Sequence, residues 1–287
     1  MSLENVKCPN CGATIQIDNE RTEGFCSYCG SKVKFSEAQK ITVQGTVKVD
    51  TSDELSNLYL LARRAKDFGN AENATKYYNM IVVKDSNSWE ANFYTIYFRA
   101  MSCKIGEIAS EAQNIAKCLR SVLHLVKSNV SDLSEQDKIV TEISNRTLNL
   151  AQMLYNGAKE HYNKYSKVDG QATQSAYCFI SCAQIAYTLG DVISELFNGR
   201  YNKIAVSSWI IGVTFTSSST TAYREASGRI LKPQKMIAKQ YVAKIKELDP
   251  KAKIPSLGNG WKVIRWLAAA LSLRPSRRFA SASFGCA

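Results

Sequence analysis

The sequence is poor in residues that break regular structure. Its 287 residues include only 5 prolines and 15 glycines, and this composition argues against a disordered chain or a loop-rich fold. Long apolar runs are also missing, because the longest ones, at 209–215 and 263–273, are shorter than the ~20 residues that cross a bilayer. The first ten residues contain no apolar signal segment. We therefore expect a soluble, cytoplasmic protein.

Residues typical of catalytic sites are scarce as well. The chain has two histidines, His124 and His161, and the apolar neighbours of His124 favour a structural role for it. Cys178 and Cys182 are one helical turn apart and can pair on a metal, but buried thiols more often act as small apolar residues. We find no glycine-rich phosphate loop, no G-x-S-x-G elbow and no H-E-x-x-H motif. The sequence therefore predicts a protein that is not an enzyme and has no small-molecule substrate.

Four of the nine cysteines stand near the N-terminus in two pairs with the same spacing. Cys8 and Cys11 are separated by two residues, fourteen residues follow, and Cys26 and Cys29 repeat the gap. A glycine directly after each pair suits the positive φ of a turn that points both sulfurs inward. Two such turns complete a tetrahedral four-sulfur shell, so the spacing predicts one bound zinc ion.

This spacing has two other interpretations. Disulfides are the first, but a two-residue gap closes a strained ring, and no other feature indicates an oxidising compartment. An iron centre of rubredoxin type is the second. Because it uses the same four ligands, the sequence leaves the choice between zinc and iron open.

The segments "CPNCG" and "CSYCG" resemble the zinc-ribbon domain at the N-terminus of many bacterial proteins, which is related to the ribbon of transcription factor IIB. The resemblance covers about residues 5–35 and implies that Cys8, Cys11, Cys26 and Cys29 are the metal ligands. Four thiolates fill the coordination shell and leave no open position, so the expected metal is structural. Ribbons of this kind occur both in nucleic-acid machinery and as protein-interaction modules.

We expect four segments along the chain. Residues 1–35 form the zinc ribbon, with a short β-hairpin between the cysteine pairs, and residues 36–50 form a β-hairpin or extended linker. Residues 51–249 form an α-helical domain that begins at a capping box, Thr51–Glu54. Residues 250–287 form a basic tail that contains tryptophan. The expected fold class is therefore mostly α, with a small N-terminal β unit and a stack of antiparallel helices.

Small and apolar residues predict how the helical domain is built. Residues 55–88 resemble one tetratricopeptide repeat, in which two helices turn at Gly69 and approach closely at Ala62. The first half of this pattern recurs at 179–190, which predicts a second, degenerate hairpin that turns at Gly190. A stack of such hairpins offers a concave surface to other proteins.

Two apolar stripes between these hairpins predict helices that face the core. The first stripe steps by four and three and consists of Ile108, Ala112, Ile115, Leu119, Val122 and Val126. A looser stripe follows a loop near Ser131 and consists of Ile139, Ile143, Leu150 and Leu154.

Positive charge is concentrated at the C-terminal end. The chain has a net charge of +12, and from Gly228 onward thirteen Lys and Arg residues stand against Glu247 and Asp249. Residues 1–40 contain five bases and five acids, and four thiolates on one zinc ion add negative charge. The ribbon therefore lacks the positive field that binding to a phosphate backbone requires.

The basic region has two parts. Residues 234–248 predict an amphipathic last helix that closes the stack. Its apolar side is expected to consist of Met236, Ile237, Tyr241, Ile245 and Leu248. Residues 258–279 combine two tryptophans, an apolar run and five cations without an acid. Such a segment can bind nucleic acid, lie on an anionic membrane surface, or have no binding role.

The sequence as a whole predicts a non-catalytic interaction protein that binds a protein partner through its helical domain. A nucleic-acid-associated regulator that uses the basic C-terminal region is the first alternative. A peripheral adaptor at a membrane surface is the second. The sequence does not identify the partner.

Overall fold

The computed structural model describes residues 3–11, 13–18, 23–34, 39–40 and 51–257. By its internal contacts the chain divides into two compact units, Met1–Asp50 and Thr51–Ala287. The described part of the first unit is a small β structure, and that of the second is helical. The predicted fold class, mostly α with a small N-terminal β unit, is therefore confirmed.

The β unit contains five short strands in its described part: β1 (Leu3–Lys7), β2 (Thr14–Asp18), β3 (Glu23–Phe25), β4 (Lys32–Lys34) and β5 (Gln39–Lys40). β1 pairs antiparallel with β2 and with β5, while β3 pairs antiparallel with β4 in a separate sheet. The hairpin expected between the cysteine pairs is therefore wrong, because β2 and β3 belong to different hairpins. Each cysteine pair instead lies in the turn of its own hairpin. The linker hairpin predicted at 41–50 lies outside the described residues.

The described part of the helical unit contains nine α-helices: α1 (Thr51–Asp67), α2 (Ala71–Lys84), α3 (Trp89–Met101), α4 (Ile108–Asn129), α5 (Leu133–Tyr165), α6 (Gln171–Leu196), α7 (Asn202–Ser218), α8 (Thr220–Ala226) and α9 (Gly228–Leu248). A 3₁₀ turn at Ile105–Glu107 precedes α4. α6 packs against α4, α5, α7 and α8, which makes it the central helix of this unit.

The apolar stripes predicted between the hairpins lie in the core. All six stripe residues of α4 and all four of α5 are buried. The predicted turn between α1 and α2 is also present, with Gly69 at φ +71° and Ala62 fully buried. Leu61, which belongs to the same repeat-like pattern, is 40 % exposed. α1 begins at Thr51, whose side chain lies outside the described residues, so the capping box stays a prediction.

A second hairpin is present between α6 and α7, but its expected turn at Gly190 is wrong. α6 continues through Gly190, and the chain reverses later, at Asn198 and Gly199, which both have positive φ. Gly190 lies where α7 passes close to α6. A Cβ atom there would lie 2.4 Å from Trp209 Nε1 and 2.9 Å from the carbonyl oxygen of Ala205. This glycine therefore permits close helix packing and does not make a turn.

The last helix begins earlier than predicted, at Gly228. Met236 and Leu248, expected on the packed side, are 57 % and 40 % exposed. The expectation is therefore wrong for these two residues. Ile237, Tyr241 and Ile245 face the helical unit as expected, together with Ala238 and Val242.

The chain after α9 stays on the helical unit as far as it is described. Ser217 Oγ of α7 donates to the carbonyl oxygen of Ser256 at 2.8 Å, and Ile254 and Leu257 pack against the core. The tryptophan-containing segment at residues 258–279, for which binding to nucleic acid, binding to a membrane surface and no binding role were all open, lies outside the described residues.

Among the described helices, α6 alone has the length and apolarity of a membrane span. However, 72 % of its most apolar window is buried inside the protein. Because four neighbouring helices cover it, its apolar composition fits the position of a core helix.

Candidate metal centre

The four predicted metal ligands come together in the β unit. Their Sγ atoms all lie within 4.8 Å of one another. Cys8 Sγ is 3.8 Å from Cys29 Sγ, and Cys11 Sγ is 3.8 Å from Cys26 Sγ. Within the described part of the chain, this is the only group of three or more His, Cys, Asp or Glu side chains placed to hold a metal ion.

These distances fit a metal centre and do not fit disulfides. The sulfurs of a disulfide are about 2.05 Å apart, whereas these four cysteines are free thiols. When four sulfurs surround one ion as a tetrahedron with bonds of about 2.3 Å, neighbouring sulfurs are about 3.8 Å apart. The arrangement can therefore hold one metal ion in a shell of four thiolates.

The two hairpin turns position their sulfurs in the same way. The N–H of Cys8 donates to the carbonyl of Ala13, and the N–H of Cys26 donates to the carbonyl of Ser31, both at 2.9 Å. Gly30 has φ +72°, the left-handed conformation predicted for the residue after a cysteine pair. The matching glycine of the first pair lies outside the described residues. The repeated geometry brings one sulfur pair from each turn to the same point.

Two of the four candidate ligands, Cys8 and Cys26, are also part of a very small apolar core. The buried residues of the described β unit are Val6, Cys8, Ile15, Cys26 and Val33. The second cysteine of each pair, Cys11 or Cys29, is exposed. The first thiol of each pair therefore faces the core and the second faces solvent, so a bound ion would join the two sides.

Polar side chains that the sequence analysis missed connect the two turns. Asn10 Nδ2 donates to Ser31 Oγ at 2.7 Å, and Cys29 Sγ lies 3.2 Å from the same oxygen. Both residues lie within or next to a C-x-x-C turn, and that position is the only signal the sequence offers for them. Their contacts hold the two sulfur pairs in register.

The thiols of the site differ in acidity. Hydrogen bonding from Ser31 lowers the pKa of Cys29 to about 6. At Cys11 a backbone hydrogen bond with Ala13 acts to lower the pKa, but the neighbouring thiols, Cys29 first among them, help to raise it to about 12. Thiols this close resist full ionisation, because each thiolate disfavours the next. A bound dication would offset that repulsion by taking the place of the protons.

The helical unit contains a buried carboxylate, also missed by the sequence analysis. Glu90 of α3 is 7 % exposed and accepts hydrogen bonds from Arg63 Nη2 at 2.7 Å and from Tyr78 OH at 2.8 Å. Burial acts to raise the pKa of Glu90, but these donors outweigh it and the pKa is lowered. Because Arg63 and Glu90 are 27 residues apart, no local pattern signals the pair. It ties α1, α2 and α3 together.

The other candidate residues lie apart in the described helices. His124 of α4 is exposed, whereas His161 of α5 is half-buried, with its Nδ1 3.0 Å from Gln171 Nε2. Cys178 and Cys182 are buried in α6, and burial raises the pKa of both thiols. These thiols occupy core positions of the central helix.

Comparisons of the chain with known protein families, with curated proteins and with solved structures find no match. The zinc-ribbon and tetratricopeptide resemblances therefore rest on the motifs of this chain alone. What the geometry supports directly is a four-cysteine site, able to hold a metal ion, in a small β unit that precedes a helical unit.

Proposed function

We propose that this protein is a non-catalytic interaction protein of the cell interior, with a structural zinc ribbon at its N-terminus and a tetratricopeptide-like helical unit that binds another protein. The observation that carries the proposal is a set of exposed apolar side chains on the first helical hairpin. The four-thiolate site supports the zinc part of it.

Zinc is the metal that best suits the β unit. Four thiolates in a tetrahedral shell form a common structural zinc site, and they leave no coordination position for water or substrate. The two sulfur–sulfur distances of 3.8 Å support that shell. Metal analysis of the purified protein tests the choice, because we expect one zinc per chain and a colourless protein, whereas an iron centre would absorb visible light.

The first helical hairpin exposes large apolar side chains. They are Leu60, Leu61, Phe68, Met80 and Val83. Phe68 and Val83 are the most accessible, at 83 % and 87 %. Phe68 lies at the turn after α1 and Val83 near the other end of α2, so a partner that covers both would extend along the hairpin. A partner that covers them would gain their burial free energy, which is about 25 cal/mol per Å² of apolar surface.

Partner capture from the source cell tests this function. The full-length chain is used as bait, with and without nuclease, beside a Phe68→Ser, Val83→Ser variant. A matched control, Val168→Ser with Tyr177→Ser, replaces two half-exposed apolar residues elsewhere in the helical unit. We expect a partner that survives nuclease and is lost only with the Phe68 and Val83 changes. Capture that depends entirely on nucleic acid would contradict the proposal.

A further inference from the structure

The outer side of α9 has a set of four cations, which we call the lysine face: Arg229, Lys232, Lys235 and Lys239. Three of the four are exposed, and Lys235 is half-buried. Across the described residues none of the four forms an ion pair or a side-chain hydrogen bond. The cations nearer the C-terminal end of α9 differ, since Lys244 pairs with Asp191 at 2.9 Å and Lys246 donates to two backbone carbonyls.

Apolar side chains lie among these cations. Met236 is 57 % exposed and Leu231 is half-buried. A groove of about 360 Å³ opens here, and its described lining consists of Gly228, Leu231, Lys232, Lys235, Met236 and Lys239. These positions follow one another in alternating steps of three and one, so they share one face of the helix.

We propose that the lysine face of α9 binds an acidic amphipathic segment of a protein partner. The carboxylates of that segment would meet the lysines, and its apolar side chains would cover Met236 and Leu231. The inference rests on the proposed function, since it names the chemistry of the partner that an interaction protein would bind. The support for it is complementarity. Four cations that have no partner among the described residues, with apolar side chains between them, match carboxylates that flank apolar residues.

The same face suits phosphates and lipids less well. Planar, bidentate recognition of phosphate favours arginine, whereas Arg229 is the only arginine on this face. A helix that lies on a membrane inserts its apolar side, but the apolar stripe of α9, which includes Ala238 and Ile245, is already packed inside the helical unit.

Residues 258–287 of the chain itself are also a poor occupant. They contain five cations and no acid. Like charges placed opposite each other oppose association. The partner segment is therefore expected to come from another protein.

A defined peptide tests the proposal. The probe is a fluorescent synthetic peptide of about 20 residues in which glutamates and leucines alternate at helical spacing. One control peptide has glutamine in place of every glutamate, and a second has the same composition in an order that forms no apolar face. In fluorescence anisotropy with the full-length protein, we expect either change to weaken binding by about tenfold or more.

Charge reversal locates the binding surface. The test variant combines Lys232→Glu, Lys235→Glu and Lys239→Glu. A matched control reverses the charge of three exposed lysines elsewhere in the helical unit by the same change to Glu: Lys117, Lys138 and Lys167. The first variant should bind the peptide at least about tenfold more weakly, and the control should bind within about twofold of the wild type. A single change, Met236→Ser, should weaken binding about threefold and serves if the triple reversal does not fold.

Three outcomes would overturn the proposal. The first is no peptide binding by the wild-type protein. The second is an equal loss of peptide affinity in both lysine variants. That result would indicate attraction by the overall positive charge of the protein and not by a specific site. The third is tighter binding of RNA or of phosphatidylserine vesicles that is lost with the lysine face. Capture of a partner through Phe68 and Val83 would survive all three, so the proposed function is judged separately.

Discussion

The two units of this protein contain very different amounts of apolar core. The described β unit buries five residues, and two of these are the metal-site cysteines Cys8 and Cys26. The helical unit buries the full stripes of α4 and α5 and most of α6. Chains below roughly 40 residues rarely fold without a metal or disulfides. We therefore expect the folding of the β unit to depend on a metal ion and the folding of the helical unit to depend on apolar burial.

Replacement of both buried thiols, Cys8→Ser with Cys26→Ser, should have the largest effect. Structural zinc can contribute on the order of 10 kcal/mol to folding, so we expect the metal to be lost and the β unit to unfold. NMR spectra should lose the dispersed signals of β1 to β4, while circular dichroism retains the helical signal. Cys103→Ser, a half-buried thiol of the helical unit, is the control and should keep the metal. Unchanged shifts in β1 and β2 of the double variant would contradict the account.

Gly190→Ala should damage the helical unit and leave the metal content unchanged. The added Cβ would press on Trp209 and on the backbone at Ala205, so we expect the free energy of unfolding to fall by about 1–3 kcal/mol. Gly157→Ala is the matched control, because the nearest atom, Ile105 Cδ1, is at an ordinary 3.7 Å. Since alanine favours a helix over glycine, the control should gain up to about 1 kcal/mol. Urea denaturation measures the free energy of unfolding of both variants. An equal change in Gly190→Ala and Gly157→Ala would disprove the close contact at Gly190.

Glu90→Gln should cost the helical unit about 1–2 kcal/mol at neutral pH, because it replaces charge-assisted hydrogen bonds by neutral ones. The folded-state pKa of Glu90 is lowered from its ordinary value of 4.5. The contribution of its charge is therefore fully present above that value and is lost as the pH falls through the lowered folded-state pKa. Urea unfolding at several pH values should show the wild type and the variant converging in acid. A difference that stays constant would show that the charge of Glu90 does not stabilise the fold.

Arg120→Ala should have the smallest effect. Its ion pair with Glu195 joins α4 to α6 at 2.6 Å, but both side chains are more than half exposed. Exposed pairs typically contribute less than about 1 kcal/mol and are screened by salt. Thermal unfolding at low and high salt should show a small difference that disappears in high salt. A loss as large as that of Glu90→Gln would mean that surface charge, and not burial, stabilises this unit.

Local spacing predicts the parts of this structure that local geometry determines. A two-residue gap places Cys8 and Cys11 in one turn, and steps of three and four place the α4 stripe on one face. Both features are present in the structure. The spacing could not predict that each cysteine pair would lie in its own hairpin, because strand pairing depends on residues beyond the turn.

Contacts between distant elements determine the structural features that local spacing does not predict. Gly69 and Gly190 occupy the same position in the same local pattern, yet Gly69 has positive φ between two helices while Gly190 lies inside α6. Within α6, Gly190 instead leaves room for Trp209, which approaches it from α7. Likewise, no periodicity could show that Arg63 on α1 would pair with Glu90 on α3. Such partners become visible only when the helices are packed.

Hydrogen exchange of the full-length protein, before and after treatment with a metal chelator, shows which of the two units depends on the metal. If the four thiolates hold a metal on which only the β unit depends, protection should be lost in β1 to β4 and retained in α1 to α9. Unchanged exchange in the β strands, or a matching loss of protection in the helices, would contradict this dependence.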